Sequence, residues 1–567
     1  MKVFKEQVSD LISKAIGVDT AEALSMLSTP PQANMGDVAF PCFKLAKLMS
    51  KSPKDVAEEI LGKVSHEIKG SSLIASAKTF GPYVNFYLNK SVFYKTIIDA
   101  VLTEDKIAKT EKSKGTVVID YSSPNIAKPI AFHHIRSTVI GNIIGNIFQR
   151  NGYKVIRINY LGDWGTQFGK LITAFEKYGD DKKLEEHGIR HLLDIYVQYH
   201  KEENEELEAT ARKWFQLMEA GDKKALAYWK KFRDISIREF DRVYKRLGID
   251  FTNIEGESFY NGKTEPVIKE IEKKVGTKES EGAIIVDLSA FDMPPVLLKK
   301  TDGTTLYATR DITAAMDRWN RFNFVESVYV VANQQELHFK QVFKTLELMG
   351  FDWFSKCKHV QFGLLHFEDA KMSTREGRII FLEEVLDKSV ELAKKAIEDK
   401  NPNLDDKENV AEAVGVGSII FGDICKKRIQ DITFKWEDVL SFDGETAPYV
   451  QYTHARACSI LSKAGFDPLK VGKMDDYQPQ DIEFELAKMT SLFEEKLLEA
   501  QAEHEPFILA RYVLDMSQLF NKYYYQEKII DVKDESQKRA KLSLVYSVKE
   551  NIKDCLSVMG IKAPERM

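Results

Sequence analysis

Apolar and polar positions alternate with different periods in successive parts of the chain. Residues 1–112 open at helical spacing (MKVFKEQVSDLISKAIG) and close with two strand-like runs, SSLIASAKTF and PYVNFYLN, broken at Gly81-Pro82. A small α/β unit is predicted there, followed by a polar linker at 103–115. The pattern changes at 113. An apolar run at 117–119 predicts a buried strand, Ser122-Ser123-Pro124-Asn125 a turn, and small and apolar residues at 137–144 a helix. A strand at 153–158 and the loop NYLGDWGTQFG complete a right-handed βαβ unit. Lys, Glu and aromatic residues at helical spacing then predict a helical insertion over about 174–282. Strand patterns return at 283–300, with a turn at Asp302-Gly303, and again at 324–331 and 359–365. Helices are predicted from TTLYATRDITAAMDRW and NQQELHFKQVFKTLELMG, and DAKMSTREGRIIF reads as a charged loop. Strands alternating with helices predict a parallel, doubly wound sheet. Beyond 383 strand signals nearly vanish. The expected fold class is therefore α/β: a Rossmann-like parallel-sheet domain at 113–389 with its helical insertion, an N-terminal α/β domain, a helical connector at 390–440 and a C-terminal all-α bundle at 441–567.

Composition narrows the class. A chain of 567 residues with 44% hydrophobic residues can fill the cores of three or four domains. A net charge of −5 does not exclude a nucleic-acid partner, because a basic face can sit on an acidic protein. The five cysteines, Cys42, Cys357, Cys425, Cys458 and Cys555, lie far apart without a CxxC or Cys/His cluster. Reduced thiols are expected, with no structural zinc and no visible metal ligand set. The N-terminus lacks a signal-peptide core, and no apolar run approaches the ~18 residues of a membrane span. A soluble cytoplasmic protein is expected.

Candidate chemistry concentrates in four places. The stretch 115–145, GTVVIDYSSPNIAKPIAFHHIRSTVIGNIIG, is a strand, loop and helix of the kind that presents a ligand site at the carboxyl edge of a parallel sheet. Its helix N-terminus suits phosphate, yet it has neither GxGxxG nor GxxxxGK[ST] spacing. Asp120 at the strand end, Asn125 and Lys128 in the loop, and His134 and Arg136 at the helix start would take a cationic and an anionic substrate side by side. Strand-end capping, an Asx turn and a solvated lysine explain the same residues. In KMSTREG, Lys371 and Arg375 flanked by hydroxyls suit a polyphosphate, or form a charged surface turn. Tyr307 and Asp311, four apart, share a helix face, and Gln335 and His338 open a helix after a strand. A carboxylate, a tyrosine and a glutamine around one pocket would recognise a guanidinium or amino group. Alternatively, Asp311 caps its helix and Gln335 is solvated. In the terminal bundle Tyr512, Phe520, Tyr523, Tyr524 and Tyr525 interleave with Arg511, Lys522 and Lys528, a combination suited to unstacked RNA bases. Tyr512 and Phe520, eight apart, fit a core face, whereas of the adjacent rings at 523–525 at least one points outward.

Taken in order, SSPNIAKP, H-hydrophobic-RST, LGDWGTQFG, LYATRDITAAMDR, NQQELH, KMSTREG and YVQYTHARACSIL resemble the signatures of the arginyl-tRNA synthetases, a class I aminoacyl-tRNA synthetase family. The resemblance runs from MGDVAFPCFKLAK to the terminal GIKAPERM. It implies ATP-dependent attachment of L-arginine to tRNA(Arg) through an arginyl-adenylate, releasing AMP and pyrophosphate, with activation requiring bound tRNA. It implies an arginine pocket of Asp120 (where the family often has glutamate), Asn125, Tyr307, Asp311 and Gln335, with Asp311 facing the guanidinium. Lys128, His134, Lys371 and Arg375 would be catalytic, and His133, Met372, Ser373 and Thr374 would join Lys128, His134 and Lys371 around ATP. The N-terminal domain would meet the tRNA elbow. The bundle would meet the anticodon, with Arg511, Tyr523, Tyr524, Tyr525 and Met567 as tRNA contacts. Mg²⁺ would accompany ATP without a protein-encoded site, and the chain would act as a monomer, away from membranes.

Two departures from the family stand out. The class I HxGH window, 131–134, reads Ala131-Phe132-His133-His134. Ala131 removes a phosphate donor, a loss of roughly 1–3 kcal/mol if nothing replaces it. His133 replaces a glycine against which adenine would lie, so it swings aside, stacks on the base or blocks it. In KMSTR, Thr374 replaces the second lysine of KMSKS, and Lys128 is expected to stand in as the main phosphate cation. Ala131 and His133 keep open a second reading, a catalytically impaired paralogue that binds tRNA or arginine.

Overall fold

The computed structural model describes residues 1–103, 113–300, 306–367, 380–441, 444–470, 474 and 477–567. Most of the expected linker, the Asp302-Gly303 turn and the KMSTREG loop with Lys371, Met372, Ser373, Thr374 and Arg375 lie outside the described residues.

A five-stranded, wholly parallel sheet organises the middle of the chain, in the spatial order Cys357–Phe362, Glu326–Ala332, Thr116–Asp120, Lys154–Leu161, Asn253–Gly256. The strand Thr116–Asp120 is central: its three inner positions, Val117, Val118 and Ile119, are apolar and both faces are covered. Val117 and Ile119 enter one core with Ile140 and Ile143 of the helix Ile135–Arg150. Val118 points the other way, into a core with Ile158, Ile312 and Val342 beneath the helices Tyr307–Phe322 and Glu336–Leu348. The order of strands reverses between Thr116–Asp120 and Glu326–Ala332, so a crevice opens there at their carboxyl ends. Helix and sheet approach closely at Gly141, where a Cβ would lie 2.3 Å from Tyr121 Cβ.

Three expectations need correction. The expected insertion at about 174–282 is not wholly helical: the helices Thr166–Tyr178, Asp181–His187, Ile189–Lys201, Glu205–Glu219 and Lys223–Arg246 are separated from the helix Thr264–Lys274 by a strand. The strand Asn253–Gly256 then returns the chain to the edge of the parallel sheet. The strands read at 283–300 are Ala283–Val286 and Val296–Lys299, which pair antiparallel with each other and, through the first, with Lys278–Ser280 in a separate sheet. Their connection, through the single turn Ser289–Phe291, is too short for the crossover that parallel strands need. Past 383, the short strand Ile432–Phe434 pairs in parallel with Leu365–Phe367.

The N-terminal part is an antiparallel sheet of Val38–Pro41, Tyr83–Leu88 and Ile74–Phe80, backed by the helices Lys2–Ile16 and Pro53–Ile68. It docks on the terminal bundle: Tyr94 donates its hydroxyl to Ala540 O at 3.0 Å, and Lys488 pairs with the buried Asp37 at 3.0 Å. The bundle comprises Ala447–Ala464, Asp481–Ser491, Phe493–Glu503, Phe507–Gln526 and Glu535–Val558. Among the described residues no helix is long and apolar enough to cross a membrane.

Candidate active site at the switch point of the sheet

The loop after Asp120 is strained. Ser122, Ser123 and Ala127 hold φ of 71°, 48° and 64°, a left-handed conformation that non-glycine residues adopt only when held there. The restraints are specific. Ser122 N–H donates to Ser137 Oγ at 2.9 Å, and Ser122 Oγ lies 2.8 Å from both Thr138 Oγ1 and Tyr244 OH. Ser123 N–H reaches Asn159 Oδ1 at 3.2 Å, and Ala127 N–H reaches Ser236 Oγ at 2.8 Å. Ser137 in turn donates to Val330 O at 2.7 Å, tying the helix to the neighbouring strand. Ser137 and Thr138 of the signature therefore hold the loop, together with the insertion helix Lys223–Arg246. Asn125 lies against Gly162, where any Cβ would fall 1.9 Å from its Oδ1. This explains the first glycine of LGDWG.

Beyond the loop, Ile130 to Phe132 are strapped to the segment that follows KMSTREG. Phe132 N–H donates to Ile380 O and Leu382 N–H to Ile130 O, both at 2.8 Å. The turn is thereby joined to the chain at Ile380 and Leu382. His134 Nδ1 lies 3.2 Å from Ala131 O, and the exposed His133 ring stacks beside His134, centroids 4.2 Å apart. Lys128 Nζ sits 4.9 Å from the Tyr196 ring, with no carboxylate in ion-pair reach among the described residues. Arg136, expected as a ligand group, is 1% exposed and fully engaged. It donates to Asp423 Oδ1 (2.9 Å), Gly363 O (2.7 Å), Gln430 O (2.8 Å) and Arg428 O (3.1 Å), so it ties the signature helix to the connector instead of facing substrate.

Acidic residues gather near Asp120. Asp311 Oδ2 lies 2.5 Å from His338 Nε2. Glu257 pairs with Arg310 at 3.3 Å. Burial pushes the Glu257 carboxyl up to about 7, against the pull of Arg310 and helped by the charges of Asp163 and Asp311. Asp120 requires a correction. Its Oδ2 lies 2.7 Å from Arg318 Nη2 and its Oδ1 accepts from Ser123 Oγ at 3.1 Å, both inside the protein. Both oxygens are engaged, so Asp120 is not free for a substrate. Burial raises its carboxyl above the ordinary range, Arg318 pulls it back, and Asp311 adds to the rise, which puts Asp311 in the same neighbourhood. Tyr307 is 67% exposed at the start of its helix, and Gln335 is exposed on the turn Asn333–Gln335.

On the bundle, the three adjacent tyrosines separate by helical phase. Tyr523 is buried and donates to Glu483 Oε1 at 3.1 Å, so its expected role as a base platform is withdrawn. Tyr524 and Tyr525 are exposed, and with exposed Tyr452 they surround the Arg456 guanidinium at 4.8, 5.5 and 4.9 Å. Tyr512 and Phe520 are core, as their spacing predicts. Arg511 spends its charge on Glu445 (2.5 Å) and Asp515 (2.7 Å). The Met567 carbonyl accepts from Asn401 Nδ2 at 3.2 Å.

Several of these residues were not singled out for a role in the sequence. His338 was visible only as a neighbour of Gln335, three residues along the same helix start. Tyr452 and Arg456 lie four apart within YVQYTHARACSIL, a spacing that marks one helix face. Glu257 carries no sequence signal, because its partners come from distant elements.

Comparison with known proteins covers the whole chain. The family described as "tRNA synthetases class I (R), catalytic domain" matches residues 96–436. The "DALR anticodon binding domain" matches 450–567, and the "Arginyl tRNA synthetase N terminal domain" matches 2–88. An arginine–tRNA ligase of Halothermothrix orenii is 46% identical over 571 residues, covering all of both chains. One from Clostridioides difficile is 44% identical over 574 residues, again covering both fully. Among solved structures, the arginyl-tRNA synthetase of Thermus thermophilus superposes with a TM-score of 0.83 at 25% identity, over 99% of this chain and 100% of that one. With the strand, loop and helix at the switch point and this end-to-end correspondence, the chain belongs to the arginine–tRNA ligase family of class I tRNA synthetases.

Proposed function

We propose that this protein attaches L-arginine to tRNA(Arg) at the expense of ATP, through an arginyl-adenylate, and that the crevice between Thr116–Asp120 and Glu326–Ala332 is where it does so. The observation that carries the reading is the full-length correspondence with arginine–tRNA ligases, and the switch point of the sheet between these two strands supports the placement. Asp311, oriented by His338, receives the guanidinium. Tyr307 and Gln335 close over the side chain, and Asn125 takes the α-carboxylate or ammonium end. Asp120 acts at one remove, as the anion paired with Arg318 beneath the pocket.

In the first step the arginine carboxylate oxygen attacks the α-phosphorus of ATP, a P–O bond forms and pyrophosphate leaves. Negative charge spreads over the phosphates. Lys128, His134, His133 and the 371–375 loop supply the facing donors, because positioning and electrostatics carry phosphoryl chemistry. Mg²⁺ is assigned to the triphosphate. In the second step a ribose hydroxyl of the terminal adenosine attacks the arginyl carbonyl and AMP leaves. The exposed rings of Tyr452, Tyr524 and Tyr525 around Arg456 serve as stacking faces for unpaired bases of the tRNA, with Arg511 and Met567 at the rim. The N-terminal domain meets the tRNA elbow, tRNA binds before arginine is activated, and the chain acts as a cytoplasmic monomer.

Arginylation of tRNA(Arg) by the purified protein tests the reading. Formation of arginyl-tRNA dependent on ATP and cognate tRNA is expected. No product, rescued by Ala131→His combined with His133→Gly, would replace it with the impaired-paralogue reading, which no comparison supports.

A further inference from the structure

The turn holding His133 and His134 fixes where one proton sits. The His134 backbone N–H and its ring Nδ1 both point at Ala131 O, at 3.0 and 3.2 Å. A carbonyl oxygen only accepts, so Nδ1 carries the hydrogen, and in the neutral ring Nε2 is a bare lone pair. The His133 ring lies against His134, tilted by 34° with centroids 4.2 Å apart. Burial, and secondarily His133, hold the His134 imidazolium down to about 4, and burial lowers His133 as well.

Among the described residues, the other charges nearby are committed elsewhere. The helix Leu382–Lys400 packs on this turn and brings Glu383, Glu384 and Asp387. They pair with Arg242 at 2.7 Å, Arg190 at 3.5 Å and Arg246 at 2.5 Å. Arg136 is paired with Asp423, Lys128 lies on Tyr196, and His366 faces Asp431 at 3.5 Å. None of these carboxylates is positioned to hold an imidazolium at 134 in the absence of ligand. A bare Nε2 cannot donate to a phosphate oxygen, which also only accepts. Resting His134 is therefore in the wrong protonation state for the partner proposed above.

We infer that His134 enters nucleotide binding by taking up a proton from solvent: Nδ1–H keeps Ala131 O, the new Nε2–H donates to a phosphate oxygen, and His133 is the positioning residue that packs against the ring. No covalent bond changes. The nucleotide's own negative charge replaces the missing carboxylate. The inference rests on the reading of this loop as the ATP site. It also gives His133, which stands where the family has glycine, a role of its own.

Calorimetric titration of MgATP into the full-length protein at neutral pH, in buffers of different ionisation enthalpy, counts the protons. Uptake approaching one proton per nucleotide is expected. His134→Asn, whose amide donates without titrating, is expected to remove the uptake, and nitrogen shifts of the His134 ring in the wild-type complex should report two N–H groups. In His133→Gly without nucleotide, the titration midpoint of His134 should rise from about 4 toward the ordinary histidine value. Binding of MgATP without proton uptake, uptake that persists in His134→Asn, or an unmoved midpoint in His133→Gly overturns the inference and leaves the ATP site standing. Absence of any MgATP binding overturns both.

Discussion

Replacing Asp311 by asparagine keeps the volume of the side chain and removes its charge. In the protein Asp311 is about one-fifth exposed, 22%, and its Oδ2 is already shared with His338 at 2.5 Å. A guanidinium on the remaining oxygen would gain about 4 kcal/mol from Coulomb attraction at ~4 Å in a surroundings of effective dielectric ~20. Part of that gain is offset by desolvation, and truncating one partner of such a pair typically costs 2–5 kcal/mol. A net loss of about 2–3 kcal/mol converts to a KM for L-arginine raised ~30- to 150-fold. Because the guanidinium is remote from the reacting carboxyl, the loss falls on ground state and transition state alike, and kcat should change little. The assay is initial-rate arginylation against L-arginine concentration at saturating ATP and tRNA, with circular dichroism to establish that the variant is folded. His338→Gln, which leaves the carboxylate in place, should raise KM by less. A KM within about threefold of wild type for folded Asp311→Asn would show that the guanidinium binds elsewhere, and the assignment of Asp311 would fall.

Ser137→Ala leaves the buried Ser122 N–H without an acceptor, which should cost about 1–3 kcal/mol in urea unfolding and lower kcat by relaxing the strained loop; unchanged kcat would show that the strain is not used. Tyr525→Ala should weaken tRNA binding by about 1–3 kcal/mol in filter binding without altering stability, whereas Tyr523→Ala should destabilise the bundle instead. Equal effects of the two variants on tRNA affinity would contradict the helical phase argued here. For Glu257, the folded carboxyl titrates at about 7 against 4.5 when unfolded, so folding favours the protonated form. The stability it contributes is present below 4.5 and is lost as pH rises through about 7. Glu257→Gln should therefore become more stable than wild type by up to about 3 kcal/mol at alkaline pH, read from urea midpoints across pH. A pH-independent difference would refute this.

Sequence pattern reached those parts of the protein whose physics is local. The run at 117–119 is a continuous apolar stretch and the expected strand at 324–331 carries the apolar run 328–331; both lie in strands of the sheet, Thr116–Asp120 and Glu326–Ala332. The strand Asn253–Gly256 was not legible, since NIEG has no periodicity and gains its place only by pairing with Lys154–Leu161. Charge was misread twice for one reason. Arg136 and Asp120 look like ligand groups in the sequence, but Asp423, three backbone carbonyls and Arg318 neutralise them from remote parts of the chain. The behaviour of His133 likewise depended on a side-chain rotation that no spacing encodes. The tyrosines at 523–525 needed only their phase relative to Glu483.

The left-handed loop has a consequence for the order in which the protein matures. Its shape depends on Ser236 and Tyr244, whose partners Ala127 and Ser122 lie 109 and 122 residues earlier in the chain. Contacts of such separation form late, after the local strand and helix have already paired. The loop therefore acquires its working geometry only once the insertion helix has docked, and the insertion acts as a checkpoint on competence. A chain nicked within 223–246 would retain its sheet and its bundle, and with them its capacity to hold tRNA, while the loop relaxed and the chemistry stopped. Limited proteolysis should therefore abolish arginylation before it abolishes tRNA binding.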